Sequence, residues 1–322
     1  MDVHLTRSGE HPPHLTRPVT RGAHLSPDGT RVAELTAWAA VLPDHSGFTH
    51  VTGAELLGLW LPPLPAPAPV TAQVPTGAPA PRRPGLRLIR ASDGTGTSRV
   101  HGLPVAPVTE VLLSLCRDLG PLDALVALDS ALHLRLCTLA ELEHATRRRR
   151  RGAPLLRLLT PLADARSESP WETILREFHR AVEAPAVPQH EILDASGSFV
   201  ARADLWLAGT RVIHEYDGAH HLSVEGQRAD LRRDRRLGHA GWIRRGYTSD
   251  DLLHRPHEIL RDVDAALGRP SHPHLLTRWH DLLSDSARTP AGRALLTHRL
   301  RQSTQRPSRA ANPTPLWLQL LD

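Results

Sequence analysis

The stretch from Phe199 to His221 reads F-V-A-R-A-D-L-W-L-A-G-T-R-V-I-H-E-Y-D-G-A-H-H. It gathers carboxylates, arginines and histidines whose spacing could do chemistry. Gly209-Thr210 is a good two-residue hairpin turn with glycine first. A turn there pairs Ala208 with Arg211, so Asp204 falls opposite Glu215 and Asp217 opposite Arg202. Strand alternation puts Arg202, Asp204, Arg211, Glu215 and Asp217 on one face. Ala203, Leu205, Val212 and His214 take the other. Facing carboxylates, with Cβ atoms about 5 Å apart, repel one another. Two compensations are open. A divalent cation suits hard oxygen ligands at that separation, magnesium or manganese above all. Alternatively, Arg202 and Arg211 neutralise the patch as a surface network.

Composition narrows the chemistry. The chain has 322 residues and a net charge of +5, and all 39 basic side chains are arginine. Schiff-base lysines, Walker-type phosphate binding through lysine and the lysine of many nucleases are therefore excluded. The basic balance and 21 histidines lean towards polyanions. Cys116 and Cys137 lack metal-ligand spacing and read as buried free thiols. No stretch reaches 18 uninterrupted apolar residues, and the first 30 residues hold no apolar signal core. A membrane span and secretion are not expected; a cytoplasmic location is.

The elements that must position these groups follow from periodicity. Residues 1–30 are polar and aperiodic, an arm or a few short strands. Helical patterns run over Val32–Leu42 and Thr52–Leu59. Residues 61–84 hold nine prolines, a density that argues against helix interiors and central strands and predicts an extended surface connector. Short strands are expected at Leu86–Arg90 and Arg99–Val105. Four helices come next. Two carry apolar stripes, over Val108–Leu119 and Leu122–Leu132. The third opens on Thr138 and Glu141 at capping-box spacing, and the fourth covers Leu155–Leu162. The arginine run Arg147–Arg151 reads as a helix C-terminus ending in Gly152, with phosphate contact as the alternative.

Near residue 165 the pattern changes. Ser169-Pro170-Trp171-Glu172 opens a helix, with serine as N-cap and proline at its first position. Strands are expected at Val187–Leu193, Phe199–Leu207, Arg211–Tyr216 and Trp242–Gly246. A charged helix over Val224–His239 precedes the last strand, and helices at Ser249–Leu253 and Pro256–Leu267 follow it. This order predicts a mixed α/β unit. Four regions result: an arm (1–30), a helix-rich α+β domain (31–165), the α/β unit (166–268) and a C-terminal extension (269–322) to which no fold is assigned.

Residues 168–268 resemble the very-short-patch-repair-like endonuclease domains of the PD-(D/E)xK superfamily. The matching features are S-P-W-E-T, A-R-A-D-L, H-E-Y-D-G-A-H-H, D-L-R-R-D-R-R-L-G-H-A-G-W, and a strand carrying Arg244 and Arg245. The resemblance implies a restriction-endonuclease-like mixed sheet flanked by helices, and Mg²⁺- or Mn²⁺-dependent hydrolysis of DNA phosphodiesters. Asp204 and Glu215 match the two central metal ligands, and Glu172 the glutamate supplied by the preceding helix. Asp217 stands where many members place lysine. A metal held by Asp204 and Glu215 would polarise a phosphoryl oxygen and lower the pKa of bound water. Asp217 would take part through a second metal or a water. His220 or His221 would act as general base or bond the scissile phosphate. Arg202, Arg233 and Arg244 are candidates for contacting the nucleic acid.

Plainer roles stand beside these. Glu172 sits three residues after Ser169 and could simply complete a capping box. The arginines of 228–236 alternate with Asp230 and Asp234 and could form helix-surface pairs. Residues 16–165 look like the abortive-infection AbiEi antitoxin-like region, through T-R-P-V-T-R-G-A-H-L, F-T-H-V-T-G-A-E-L-L-G-L-W-L-P-P and L-D-A-L-V-A-L-D-S-A-L-H. That family opens on a DNA-binding winged helix, of which only a wing-like strand is expected here. A docking role towards a protein partner is the expectation for this half. Alternatives to the enzyme are a non-catalytic nucleic-acid-binding or regulatory protein that keeps the nuclease fold, and a protein-interaction module.

Overall fold

The computed structural model describes residues 3–6, 16–91, 96–147, 149–218 and 224–302. The fold is mixed α/β, with twelve α-helices and three sheets among the described residues. The chain divides into two units. The described residues up to Leu119, Leu136–Pro161 and those from Arg293 onward form the first. Gly120–Arg135 and Leu162–Gly292 form the second.

In the first unit, β1 (Val3–Leu5), β2 (Arg17–Thr20) and β3 (Ala23–Leu25) make an antiparallel sheet in the order β1-β3-β2. Helix α1 (Arg31–Ala39) starts at Thr30, whose hydroxyl accepts the Ala33 N–H at 3.2 Å. Strand β4 (Gly47–Phe48) leads into α2 (His50–Leu56). Then come β5 (Val70–Val74), β6 (Leu86–Arg90), β7 (Ser98–Val100) and β8 (Leu103–Val105), giving a five-stranded sheet in the order β6-β5-β4-β8-β7. The expected surface connector over 61–84 is thus corrected. Its middle is an interior strand, buried at all five positions. The prolines stop at Pro69 and resume at Pro75, so every residue of V-T-A-Q-V keeps the N–H that a ladder needs.

Helix α3 (Val108–Asp118) packs against α2. The Arg87 guanidinium grips the Asp118 carboxylate at 2.8 and 3.1 Å, both side chains buried. His50 lies beside them, its Nε2 4.0 Å from Asp118. Burial drives the His50 pKa down to about 3, so the ring is neutral. Helix α4 (Pro121–His133) belongs to the second unit, and α5 (Leu139–Thr146) and α6 (Ala153–Leu159) to the first. Thr138 and Glu141 close the capping box at the head of α5. Arg150 pairs with Glu110. Gly152 has φ +86°, and a Cβ there would lie 2.0 Å from the Leu113 carbonyl oxygen, so no larger residue fits.

The second unit continues with α7 (Pro170–Ala181), β9 (Ala186–Leu193), β10 (Phe199–Leu207), β11 (Val212–Tyr216), α8 (Val224–His239), β12 (Ile243–Tyr247), α9 (Ser249–His254), α10 (Pro256–Ala266) and α11 (Leu276–Ser284). Helix α12 (Pro290–Gln302) is the last element described. The sheet runs β12-β11-β10-β9, with β11 and β12 parallel and the other pairs antiparallel. Ile213 and Leu237 are buried in one apolar cluster, with Trp206 and Trp242 packed against it, which seats α8 on one face. On the other face the neutral imidazoles of His179 and His214 meet at 2.7 Å. His179 Nδ1 donates to the Leu175 carbonyl at 2.7 Å, so its Nε2 accepts from His214 Nδ1. This bond ties β11 to α7. Residues 269–302 do have a fold: Trp279 of α11 is fully buried, edge-on to Phe178 with centroids 5.3 Å apart.

Candidate functional site

The β10–β11 hairpin sets the geometry. Leu205 pairs with His214 and Trp206 with Ile213, the register in which Asp204 faces Glu215. At the turn, the Thr210 N–H donates to the Leu207 carbonyl at 3.1 Å, and Gly209 has φ +82°. Leu205 and His214 are buried on the α7 face, while the two carboxylates belong to the α8 face.

Asp204 accepts the Tyr216 N–H on Oδ2 at 2.9 Å. Its carboxyl is pushed up to about 7 by burial, against the pull of that hydrogen bond, and further by the charges of Glu172 and Glu215. Glu215 is 4% exposed. Burial alone would raise its pKa, but Arg233 and Arg244 outweigh that and hold it low. Arg233 donates to both Glu215 oxygens and also, at 2.8 Å, to the Arg202 carbonyl. Arg244 donates through Nε to Glu215 and through Nη2 to Asp217. Burial raises Asp217, against the attraction of Arg244 and with the repulsion of Glu215. Gly246 pairs with Glu215 across the parallel ladder. A Cβ there would lie 1.7 Å from Asp217 Oδ2, so the Asp217 carboxylate occupies the space a side chain would need.

Glu172 stands in the first turn of α7, where the Ser169 hydroxyl accepts its N–H at 3.2 Å. Its carboxylate does not close the box on Ser169. It takes the Glu168 N–H at 2.8 Å and the Gln189 side-chain amide at 2.9 Å. Burial raises it. Arg202 is exposed and pairs with Glu168 at 2.6 Å. The structure therefore brings Glu172, Asp204, Glu215, Asp217, Arg233 and Arg244 into one electrostatic group and sets Arg202 at its margin. His220 and His221 lie outside the described residues. On α8, Arg228, Arg232, Arg235 and Arg236 are exposed.

Gln189 escaped the sequence reading. It bonds Glu172 at 2.9 Å and lies on β9 between Pro188 and His190, which pair with Leu205 and Ala203. Its φ of +52° is uncommon for a residue with a side chain; positive φ also occurs at His45, His50, His101, Arg135 and Glu183. The only sequence signal was Pro188 before it, which says nothing about its partners.

The donors here are hard oxygens, which suit Mg²⁺ or Mn²⁺. The Asp204 carboxyl is raised chiefly by burial and further by Glu172 and Glu215, and both Glu215 oxygens are held by guanidiniums. Among the described residues no group of three or more His, Cys, Asp or Glu side chains is arranged to hold a metal ion.

The chain is 28% identical, over 196 residues, to the uncharacterized proteins MT2308 and Rv2248 of Mycobacterium tuberculosis, strains CDC 1551 / Oshkosh and ATCC 25618 / H37Rv. The match covers 58% of this chain and 72% of each relative. Neither a protein-family model nor a solved structure matches the chain.

Proposed function

We propose that this protein is a metal-dependent nuclease of the PD-(D/E)xK type that hydrolyses DNA phosphodiester bonds. The observation that carries the reading is the hairpin register, which sets Asp204 against Glu215 with Glu172 close enough to raise the Asp204 carboxyl further. Asp204 and Glu215 would hold the cation, Mg²⁺ or Mn²⁺. When bound, it would supply Lewis-acid stabilisation of the charge on the phosphoryl oxygens. Arg233 and Arg244 present planar forks that match phosphate oxygens. Arginine is permanently protonated and cannot take the proton of an attacking water. With no lysine in the chain, water activation would rest on the metal, a carboxylate or a histidine. Glu172 and Asp217 at the edges of the site, and His221, are the groups assigned to it.

One feature favours a second reading, a non-catalytic nucleic-acid-binding or regulatory protein. Glu215 is fully engaged by arginine, as it would be in a nuclease fold that had exchanged its metal for guanidiniums. A single experiment separates the two. Plasmid and single-stranded DNA are incubated with the wild type, Asp204→Ala and Glu215→Ala in Mg²⁺, Mn²⁺ or EDTA. The nuclease reading expects cleavage by the wild type alone, and only with metal. Equal cleavage by the variants, or none by any form, sinks it. Salt-sensitive binding that survives both substitutions supports the second reading.

A further inference from the structure

Helix α8 carries different charge on its two sides. Inward, Leu237 is buried in the Ile213 cluster, Arg233 holds Glu215, and Asp234 lies 3.9 Å from Arg244. Outward, Arg228, Arg232, Arg235, Arg236 and His239 are all exposed. At helical periodicity these five fall within an arc of about 100°, while Asp230 and Asp234 fall on the opposite half. The alternation of charge along the chain therefore does not become pairing on the helix. No side chain of the outer row is hydrogen-bonded or ion-paired among the described residues. Arg228 and Arg232, then Arg232 and Arg236, stand four residues apart as like charges, which destabilises a helix unless a counter-charge lies on it. The row runs about 16 Å along the helix axis, the rise of about five base pairs.

We propose that the outer face of α8 is an exosite for the backbone of a double-stranded nucleic acid. Charge complementarity selects this occupant. A membrane surface needs an apolar helix face, and α8 buries its own Leu237 in the sheet cluster. A protein partner needs an apolar centre to the contact; Leu231, 59% exposed at the margin of the row, is the one exposed apolar side chain among the described residues of α8. A single strand is held on aromatic platforms, and α8 has no Phe, Tyr or Trp. Planar arginine forks in a straight row suit duplex phosphates, which they grip without reading bases. Arg233 leaves the same helix towards Glu215, so the exosite lies across α8 from the carboxylates; it anchors the duplex and takes no part in bond breaking. It rests on the nucleic-acid partner common to both readings above and needs no cation at Glu215.

The test uses the full chain in EDTA and reads binding rather than cleavage. The anisotropy of a labelled DNA duplex of about 20 base pairs is followed at several salt concentrations. Arg232→Gln/Arg236→Gln is expected to bind about 10-fold more weakly, with the slope of log K against log salt reduced by about 2, equally on two unrelated sequences. Glutamine is a good helix former, so the melting temperature is expected to hold. Arg232→Lys/Arg236→Lys keeps the charge and is expected to stay within about 3-fold of wild type. Arg261→Gln/Arg278→Gln removes as much charge elsewhere and is expected to bind as wild type does. No binding by the wild type, an unchanged slope in the glutamine variant of the row, an equal loss in the control or the lysine variant, or a loss confined to one sequence overturns the exosite. So does tighter binding of a single strand, or displacement of the duplex by polyglutamate of equal charge. Binding lost from the row variant, with no cleavage by any form in Mg²⁺, would keep the exosite and remove the nuclease; metal-dependent cleavage with a row variant that binds as wild type does would do the reverse.

Discussion

Replacing Asp204 with asparagine keeps the side chain's size and its acceptor for the Tyr216 N–H but removes the charge. The folded carboxyl titrates near 7 rather than at the ordinary 3.8, chiefly through burial and then through Glu172 and Glu215. A carboxyl raised by folding binds its proton more tightly in the native state. Its contribution to stability is therefore full below about pH 4, falls as pH rises, and is gone above about pH 7. The whole shift corresponds to about 4 kcal/mol. Asp204→Asn has no such decline. The difference in unfolding free energy, variant minus wild type, is expected to grow by up to about 4 kcal/mol between pH 4 and pH 8. The new amide must find a partner for its NH₂, at a cost of about 1–2 kcal/mol. The net expectation is a variant about 2 kcal/mol more stable than wild type at pH 8 and no better near pH 4. Urea denaturation at several pH values, followed by tryptophan fluorescence, measures this. Parallel pH profiles for the two proteins would refute the reasoning, because an Asp204 that titrates normally is neither desolvated nor pressed by its neighbours.

Two further substitutions probe separate features. Gly246→Ala puts a Cβ into the Asp217 carboxylate; that flexible end can swing aside, so thermal melting is expected to move little while DNA cleavage falls through loss of the Arg244–Asp217 contact. A drop in melting temperature as large as the loss of activity would show that the backbone had shifted instead. Asp118→Asn leaves the Arg87 guanidinium buried without its counter-charge, and a loss of about 3–5 kcal/mol is expected from the denaturation midpoint. A change below about 1 kcal/mol would mean that this pair contributes no more than a surface one.

Much of both units was legible along the chain. The bounds expected for strand β6 of the first unit, and for strand β10 and helix α8 of the second, match those observed, because apolar positions and turn groups mark such elements. The β10–β11 register was also readable: a short turn leaves one pairing that keeps Leu205 and His214 on the buried face. The proline-rich stretch misled because prolines were counted over a window, whereas a strand asks only whether its own five residues carry N–H groups. Residues 269–292 carried too weak a periodicity to reveal Trp279 as a core residue.

What the sequence determined by itself was therefore local: which residues are helix or strand, and that Asp204 and Glu215 share a face across one hairpin. Tertiary structure decided the rest of the site. Gln189 reaches Glu172 from a different strand, Arg233 reaches Glu215 from α8, and Arg244 does so from a parallel neighbour that no turn connects. Such contacts depend on how elements pack across many residues, and no spacing rule along the chain encodes them. The same holds for charge. A row of carboxylates and arginines says that compensation is needed; only burial and distance assign each arginine to its carboxylate and leave the Asp204 carboxyl raised.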